Sequence, residues 1–271
     1  MGKLATTILA RGPGWSAAEA VCDLGPRDRP YEEQHNAAAI GVVVAGSFQY
    51  RSAQGSELLA PGSMLLGSPG RRYECRHEHG VGDRCLDFEY DPEFLERAGL
   101  DGRFGVQRLP PLAALATLVL EATLAAAAPA PAAAWGELTL RMAAAVFELV
   151  GSRQRGGRAP SAADVRRVSL ALRAVEAHLA EPLPLGQLAA SVGMSAFHFL
   201  RVFRQVVGVT PHQYVRRARL RAAAVRLRSS AAPVQQVALD AGFGDLSNFI
   251  HAFAAEFGRS PRGYRAAAAA R

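Results

Sequence analysis

The sequence predicts two structural classes in one chain. A mainly β barrel or sandwich followed by helices occupies the N-terminal part, and an all-α module built on a repeated paired-helix unit occupies the C-terminal part. Three observations carry this. Short β-rich runs separated by Gly, Pro and Ser fill residues 40–90. From residue 164 onward the pattern is helical. That helical part also contains an internal repeat, which states an architecture directly. With 271 residues the chain has room for two domains, each with its own core.

The strands come first. "IGVVVAGSFQYRS", "SELLAPGSMLLGSPG" and "RCLDFEY" are the β-rich runs, divided by turn residues. After "DPEFLERAGL" the pattern predicts two helices, over 112–128 and 132–150, broken by "PAP". "GSRQRGGRAPSA" is rich in Gly, Arg and Ser, lacks periodicity and reads as an interdomain linker. The expected division is therefore 1–150, a linker at 151–163, and 164–271. The opening "MGKLATTILARGPGW" has too short an apolar run for a signal peptide. Glu121, Pro129 and Pro131 rule out a spanning helix around 112–134. Three cysteines form no disulfide framework, so a cytoplasmic, reducing compartment is expected.

The repeat aligns "PLGQLAASVGMSAFHFLRVFRQVVGVTPHQY" (184–214) with "PVQQVALDAGFGDLSNFIHAFAAEFGRSPRGY" (233–264). The offset is 49 before Gly193 and Gly242 and 50 after them, so one residue has been added at the turn. Each copy predicts a short helix (185–192 and 234–241), a glycine that tolerates a sharp turn, and a second helix ending near 207 or 257. Ser195 and Asp245 stand where N-caps belong, and Gly208 and Gly258 stop the second helices. Phe199, Val202, Phe203 and Val206 share one helical face; Phe197, His198 and Arg201 fall on another, as do Ser247, Asn248 and His251. A second helix with outward arginine and hydrogen-bonding residues suits the DNA major groove. The helix expected between the copies starts at Pro211. Its Arg216, Arg217, Arg219, Arg221, Arg226 and Arg228 are divided between positions near phosphates and its solvated side.

Charge points the same way. Residues 1–163 carry 16 basic and 18 acidic side chains, whereas residues 164–271 carry 15 and 6, a net of +9. A basic C-terminal part beside a mildly acidic remainder reads as a polyanion-binding module joined to something else. Lys3 is the only lysine against thirty arginines, a composition bias without functional meaning.

The region from 164, ending in "GFGDLSNFIHAFAAEFGRSPRGYR", resembles the DNA-binding domain of AraC-type transcriptional regulators. The resemblance implies two helix-turn-helix units joined by a long helix and reading adjacent major-groove segments of promoter DNA. It places Phe197, His198 and Arg201 of the first unit, and Leu246, Ser247, Asn248 and His251 of the second, against the bases. It further implies a homodimer and contact with RNA polymerase. His251 stands where many relatives have arginine, and "FAAEFG" lacks their usual basic pair. Arg201, able to hydrogen-bond guanine, is therefore expected to make the first unit the more specific. Upstream, "GSELLAPGSMLLGSPGRRYE" and "HNAAAIGVVVAGSF" resemble a cupin-like barrel, which implies an effector cavity.

"YECRHEHGVGDRC" (73–85) is the remaining feature. As a strand, it puts Tyr73, Cys75, His77 and His79 on one face; "GVGD" reads as a hairpin turn that returns Cys85 to the cluster. Cys75, His77, His79 and Cys85 make a Cys2His2 set suited to Zn2+, and the thiolates also suit Cu(I), with His35 and Cys22 as further candidates. The spacing is not that of a zinc finger, so a redox pair and an ordinary polar turn stay open.

The function expected is a transcriptional regulator whose N-terminal part senses a small molecule, a metal or a redox signal. Two alternatives are a cupin-type metalloenzyme and an alkylation-repair protein with an AraC-like domain. The first lacks the His-x-His plus Glu pattern near Gln34-His35, and the second needs more than three cysteines. No enzymatic activity is expected.

Overall fold

Alternating side chains in the first ninety residues produce two facing antiparallel sheets rather than one. The computed structural model describes residues 4–77, 80, 82–97, 100–127, 130–151 and 160–269. Its strands are β1 (Leu4–Gly12), β2 (Trp15–Cys22), β3 (Tyr31–Gln34), β4 (Ala38–Ala45), β5 (Phe48–Ser52), β6 (Gly55–Leu59), β7 (Met64–Gly67), β8 (Arg72–Arg76), β9 (Asp83–Tyr90) and β10 (Arg108–Leu109). A short helix α1 (Pro92–Arg97) follows β9, and α2 (Ala113–Ala127) and α3 (Ala132–Gly151) follow β10. One sheet has the order β1-β2-β9-β4-β7-β10, and the other β3-β8-β5-β6.

The six-stranded sheet sorts its side chains by the two-residue period. Ile40 and Val42 of β4, with Leu86, Phe88 and Tyr90 of β9, meet Leu115, Val119, Trp135, Met142 and Val146 of α2 and α3 in one core. The alternate residues Asp83, Cys85, Asp87 and Glu89 of β9, and Ser16, Ala18, Ala20 and Cys22 of β2, line the space toward the four-stranded sheet. The layers are thus helices, sheet and sheet.

Two features differ from the sequence expectation. The β1–β2 hairpin is absent from the strand-like pattern read over 40–90, because β1 is a mostly exposed edge strand without a buried/exposed alternation. The hairpin expected across 73–85 does not form either. β8 pairs with β3 and β5, while β9 pairs with β2 and β4 in the other sheet. Both hydrogen-bonding edges of β9 are occupied, by β2 and β4, so β8 pairs in the other sheet.

The C-terminal part is all helix: α4 (Ala162–Ala177), α5 (Leu185–Ser191), α6 (Ala196–Val207), α7 (Pro211–Ser229), α8 (Val234–Asp240), α9 (Leu246–Phe257) and α10 (Pro261–Ala269). These bounds follow the expected paired-helix grammar closely. α4 begins inside the expected linker, capped by Ser161 accepting from the Asp164 amide; residues 152–159 of that segment lie outside the described residues. Each paired-helix unit has its own core, and each core borrows from the N-terminal part. Leu58 and Ala60 join Val168, Phe199 and Phe203, while Ala116 and Leu120 of α2 join Leu220, Phe249 and Phe253. Arg108 adds a polar tie, donating to the Val207 carbonyl at 2.9 Å and to Glu57 at 2.9 Å. No helix among the described residues is long and apolar enough to cross a membrane.

Candidate nucleic-acid interface and inter-sheet cavity

The first unit presents α6 through local chemistry. The Ser195 side chain accepts from the His198 amide at 3.3 Å, satisfying one of the free N–H groups at the helix start. Phe199, Val202, Phe203, Val206 and Val207 are buried, which turns the opposite face outward. Phe197 is 80% exposed, an unusual state for an aromatic side chain with no covering element. Arg201 is exposed, and its guanidinium donates to His198 Nδ1 at 3.1 Å. The two residues therefore form one outward polar group beside Phe197.

The second unit repeats the construction. Asp245 accepts from the Asn248 amide at 2.5 Å, and Phe249, Ala252, Phe253 and Phe257 are buried. Leu246, Ser247, Asn248 and His251 are exposed, and among the described residues none hydrogen-bonds the side chains of Ser247, Asn248 or His251. All seven residues expected at the bases thus lie on the outward sides of α6 and α9.

The arginines of α7 are used differently from the sequence expectation. Arg219 donates from all three nitrogens to backbone carbonyls: Leu179 at 2.8 Å, Gly242 at 2.9 Å and Glu181 at 2.6 Å. It ties the end of the first bundle to the turn of the second unit. Arg217 lies 3.3 Å from the buried Glu256 carboxylate of α9 and also donates to the Pro111 carbonyl. Arg221 donates to the Pro61 carbonyl at 3.2 Å, Arg226 pairs with Asp240 at 2.6 Å, and Arg228 hydrogen-bonds Tyr264. Of the six, Arg216 is exposed with no such tie among the described residues. The spare cations of this helix mostly hold the module together rather than face a phosphate. The sequence carried no sign of this, because each partner, whether a carbonyl, an acid or the Tyr264 hydroxyl, is distant in the chain.

The second candidate region is the cavity between the sheets, about 230 Å³, lined by Glu33, His35, Tyr73, Cys75, His77, Asp83, Cys85, Asp87 and Glu89 among others. His77 Nε2 meets Asp83 Oδ2 at 2.6 Å, with side chains only 3% and 7% exposed. Burial alone would lower the His77 pKa; hydrogen bonds to Asp83 and Cys22 and their charges outweigh it and raise the value to about 9. Cys22 faces Asp83 directly across β2 and β9. Gly82 makes that approach possible: at φ +80°, a Cβ there would lie 2.7 Å from the Cys22 carbonyl oxygen. Cys22, His77 and Asp83 bring one ligand atom each within 4.8 Å of one another.

Three residues of the sequence set, Cys75, His77 and Cys85, line this one cavity. His77 enters the gathered group, and His79 lies outside the described residues. Cys75 and Cys85 come from opposite sheets and sit in an apolar cluster with Val43, Phe48, Tyr50 and Leu59. None of the three cysteines forms a disulfide. His35 Nε2 is 2.8 Å from the Tyr50 hydroxyl and stacks on Tyr73; burial, then the Arg71 charge, lowers its pKa to about 4, so it is neutral. Asp83 was missed because its role depends on a strand pairing with Cys22, 61 positions earlier.

Comparison with known proteins locates the kinship in the C-terminal part. A family model described as a helix-turn-helix domain matches residues 188–267. Over 91 residues, the chain is 38% identical to the transcriptional regulator Rob of Salmonella typhimurium, a match covering 34% of this chain and 32% of that protein. It is 35% identical to the regulatory protein SoxS of Salmonella typhimurium, covering 34% of this chain and 85% of SoxS. The chain therefore spans only about a third of the length of Rob. Among solved structures, the DNA-binding domain of AdpA, determined with a target DNA, is 32% identical, with a TM-score of 0.38, covering 39% of this chain and 95% of that one. With 85% of SoxS matched at 35% identity and a helix-turn-helix family model over residues 188–267, this chain belongs to the AraC-type family.

Proposed function

We propose that the chain is a sequence-specific DNA-binding transcriptional regulator acting in the cytoplasm as a homodimer that contacts RNA polymerase. One observation carries the DNA-binding reading: two copies of a capped second helix, α6 and α9, each bury an aromatic face and leave an outward polar face uncovered. The bases would be read by Phe197, His198 and Arg201 in the first unit and by Leu246, Ser247, Asn248 and His251 in the second. The 19-residue α7 between the units spans about 28 Å at 1.5 Å per residue, close to the ~34 Å of one DNA turn. The mostly β part, residues 1–150, is the sensor, and its inter-sheet cavity is the effector site.

Selection from random duplexes with the full chain tests this. The expected product is a two-part site, recovered at a salt concentration that suppresses non-specific binding. Non-specific retention alone at every salt concentration would remove the reading. Arg201→Ala is expected to cost about 1–3 kcal/mol on the selected site and to relax specificity at one base pair. An equal loss on every sequence would assign Arg201 to a phosphate instead.

A further inference from the structure

We propose that the inter-sheet cavity binds a divalent zinc-like cation on the Cys22 thiolate, the His77 imidazole and the Asp83 carboxylate. The three ligand atoms already lie within 4.8 Å of one another. Around Zn2+, with bonds of roughly 2.0–2.3 Å, tetrahedral ligand atoms sit about 3.3–3.8 Å apart. Side-chain rotations that open the His77–Asp83 pair from its present 2.6 Å would set the three ligand atoms around one ion. The mixture of one sulfur, one nitrogen and one oxygen is a zinc-type donor set rather than the all-oxygen set that calcium or magnesium takes.

Beyond the donor set, Glu33, Asp87 and Glu89 line the cavity; the cations that face these acids are Arg71, felt at the His35 end, and the protonated His77, whose proton the ion would displace. Asp87 is enclosed among acids, so burial, followed by the charges of Glu89, Asp83 and Glu33, disfavours its ionised form. An ion at the neighbouring Asp83 offsets this repulsion. The position is also held by backbone rather than by loop side chains: Cys22 and Asp83 are a directly opposed pair of β2 and β9, and Gly82 admits their close approach. His77 reaches them from the end of β8 in the other sheet, so the ion would join the two sheets. Three protein ligands leave a fourth position, as in metal sites open to water or a ligand. On binding, the ion displaces the Cys22 thiol proton and the proton held between His77 and Asp83, both released to solvent.

This ligand set differs from one centred on Cys75 and Cys85, and metal content of the reduced full chain separates them. After reconstitution with zinc and desalting, the expected result is about one zinc per chain. Cys22→Ser and His77→Gln should each lose it, whereas Cys75→Ser and Cys85→Ser should retain it. Far-ultraviolet circular dichroism identifies variants that retain the fold. Substitution by cobalt(II) gives a second readout on the unmutated chain: a tetrahedral visible spectrum with the thiolate-to-metal intensity of a single sulfur. No zinc in the folded, reduced protein overturns the proposal. Retention in folded Cys22→Ser with loss in Cys75→Ser or Cys85→Ser, or a cobalt spectrum of two sulfurs, overturns it as well.

Discussion

Phe203→Ala is expected to destabilise the protein by about 3–5 kcal/mol and to abolish DNA binding through the first unit. Phe203 is fully buried in α6, with its ring 5.5 Å from that of Phe199 and 6.0 Å, edge-on, from that of Tyr214. Truncation opens a cavity at the point where α6, α7 and α4 meet, and the three helix axes are too well fixed to collapse into it. The informative partner is Phe197→Ala. Phe197 lies on the same helix but is 80% exposed, so its removal should leave stability within about 0.5 kcal/mol. Its DNA affinity should nevertheless fall. Thermal unfolding and gel-shift titration of the two variants give the comparison, and equal unfolding midpoints would contradict the packing of α6.

Arg219→Met is expected to cost about 2–4 kcal/mol, a large effect for a residue that the sequence reads as a surface cation. The guanidinium satisfies the carbonyls of Leu179, Glu181 and Gly242 together, and charge-assisted hydrogen bonds to backbone are stronger than neutral ones. Methionine keeps the aliphatic stem and leaves those carbonyls without a donor. Because Gly242 belongs to the second unit and Leu179 and Glu181 follow α4, the variant should also loosen the two units relative to one another. Affinity for a two-part site should then fall more than affinity for either half. A stable variant with a uniform loss on all DNA and a shallower salt dependence would instead make Arg219 a phosphate ligand.

The parts of this structure legible in the sequence are those decided locally. The N-caps Ser195 and Asp245, the Pro211 start of α7, and the 3.6-residue aromatic spacing in both second helices are each specified within one helix length. The same is true of β4 to β7, where apolar runs end at Gly, Pro and Ser. Elements that depend on distant chain segments were not legible. β1 forms a local hairpin with β2 across Pro13 and Gly14, but it is a mostly exposed edge strand whose side chains do not alternate between buried and exposed, so the two-residue period that marks a strand is missing. The 73–85 stretch reads as a hairpin because its own residues alternate, yet its two strands go to different sheets. Among the described residues, the folded chain gathers Cys22, His77 and Asp83 within 4.8 Å of one another, a grouping that no local spacing announces. Side-chain ties between the N-terminal and C-terminal parts, such as Arg108 to Val207 and Arg217 to Pro111, have no sequence signature at all.

If the chain works as proposed, its two outward helices read adjacent stretches of DNA. Hydroxyl-radical and methylation-protection footprinting of the full chain on its selected duplex tests this most directly. Two protected major-groove segments are expected on one face of the DNA, with centres about one turn, roughly 10 base pairs, apart. Protection of the first should weaken selectively in Arg201→Ala, and that of the second in Asn248→Ala. A single protected segment, or protection that spreads evenly and is equally affected by both variants, would contradict it.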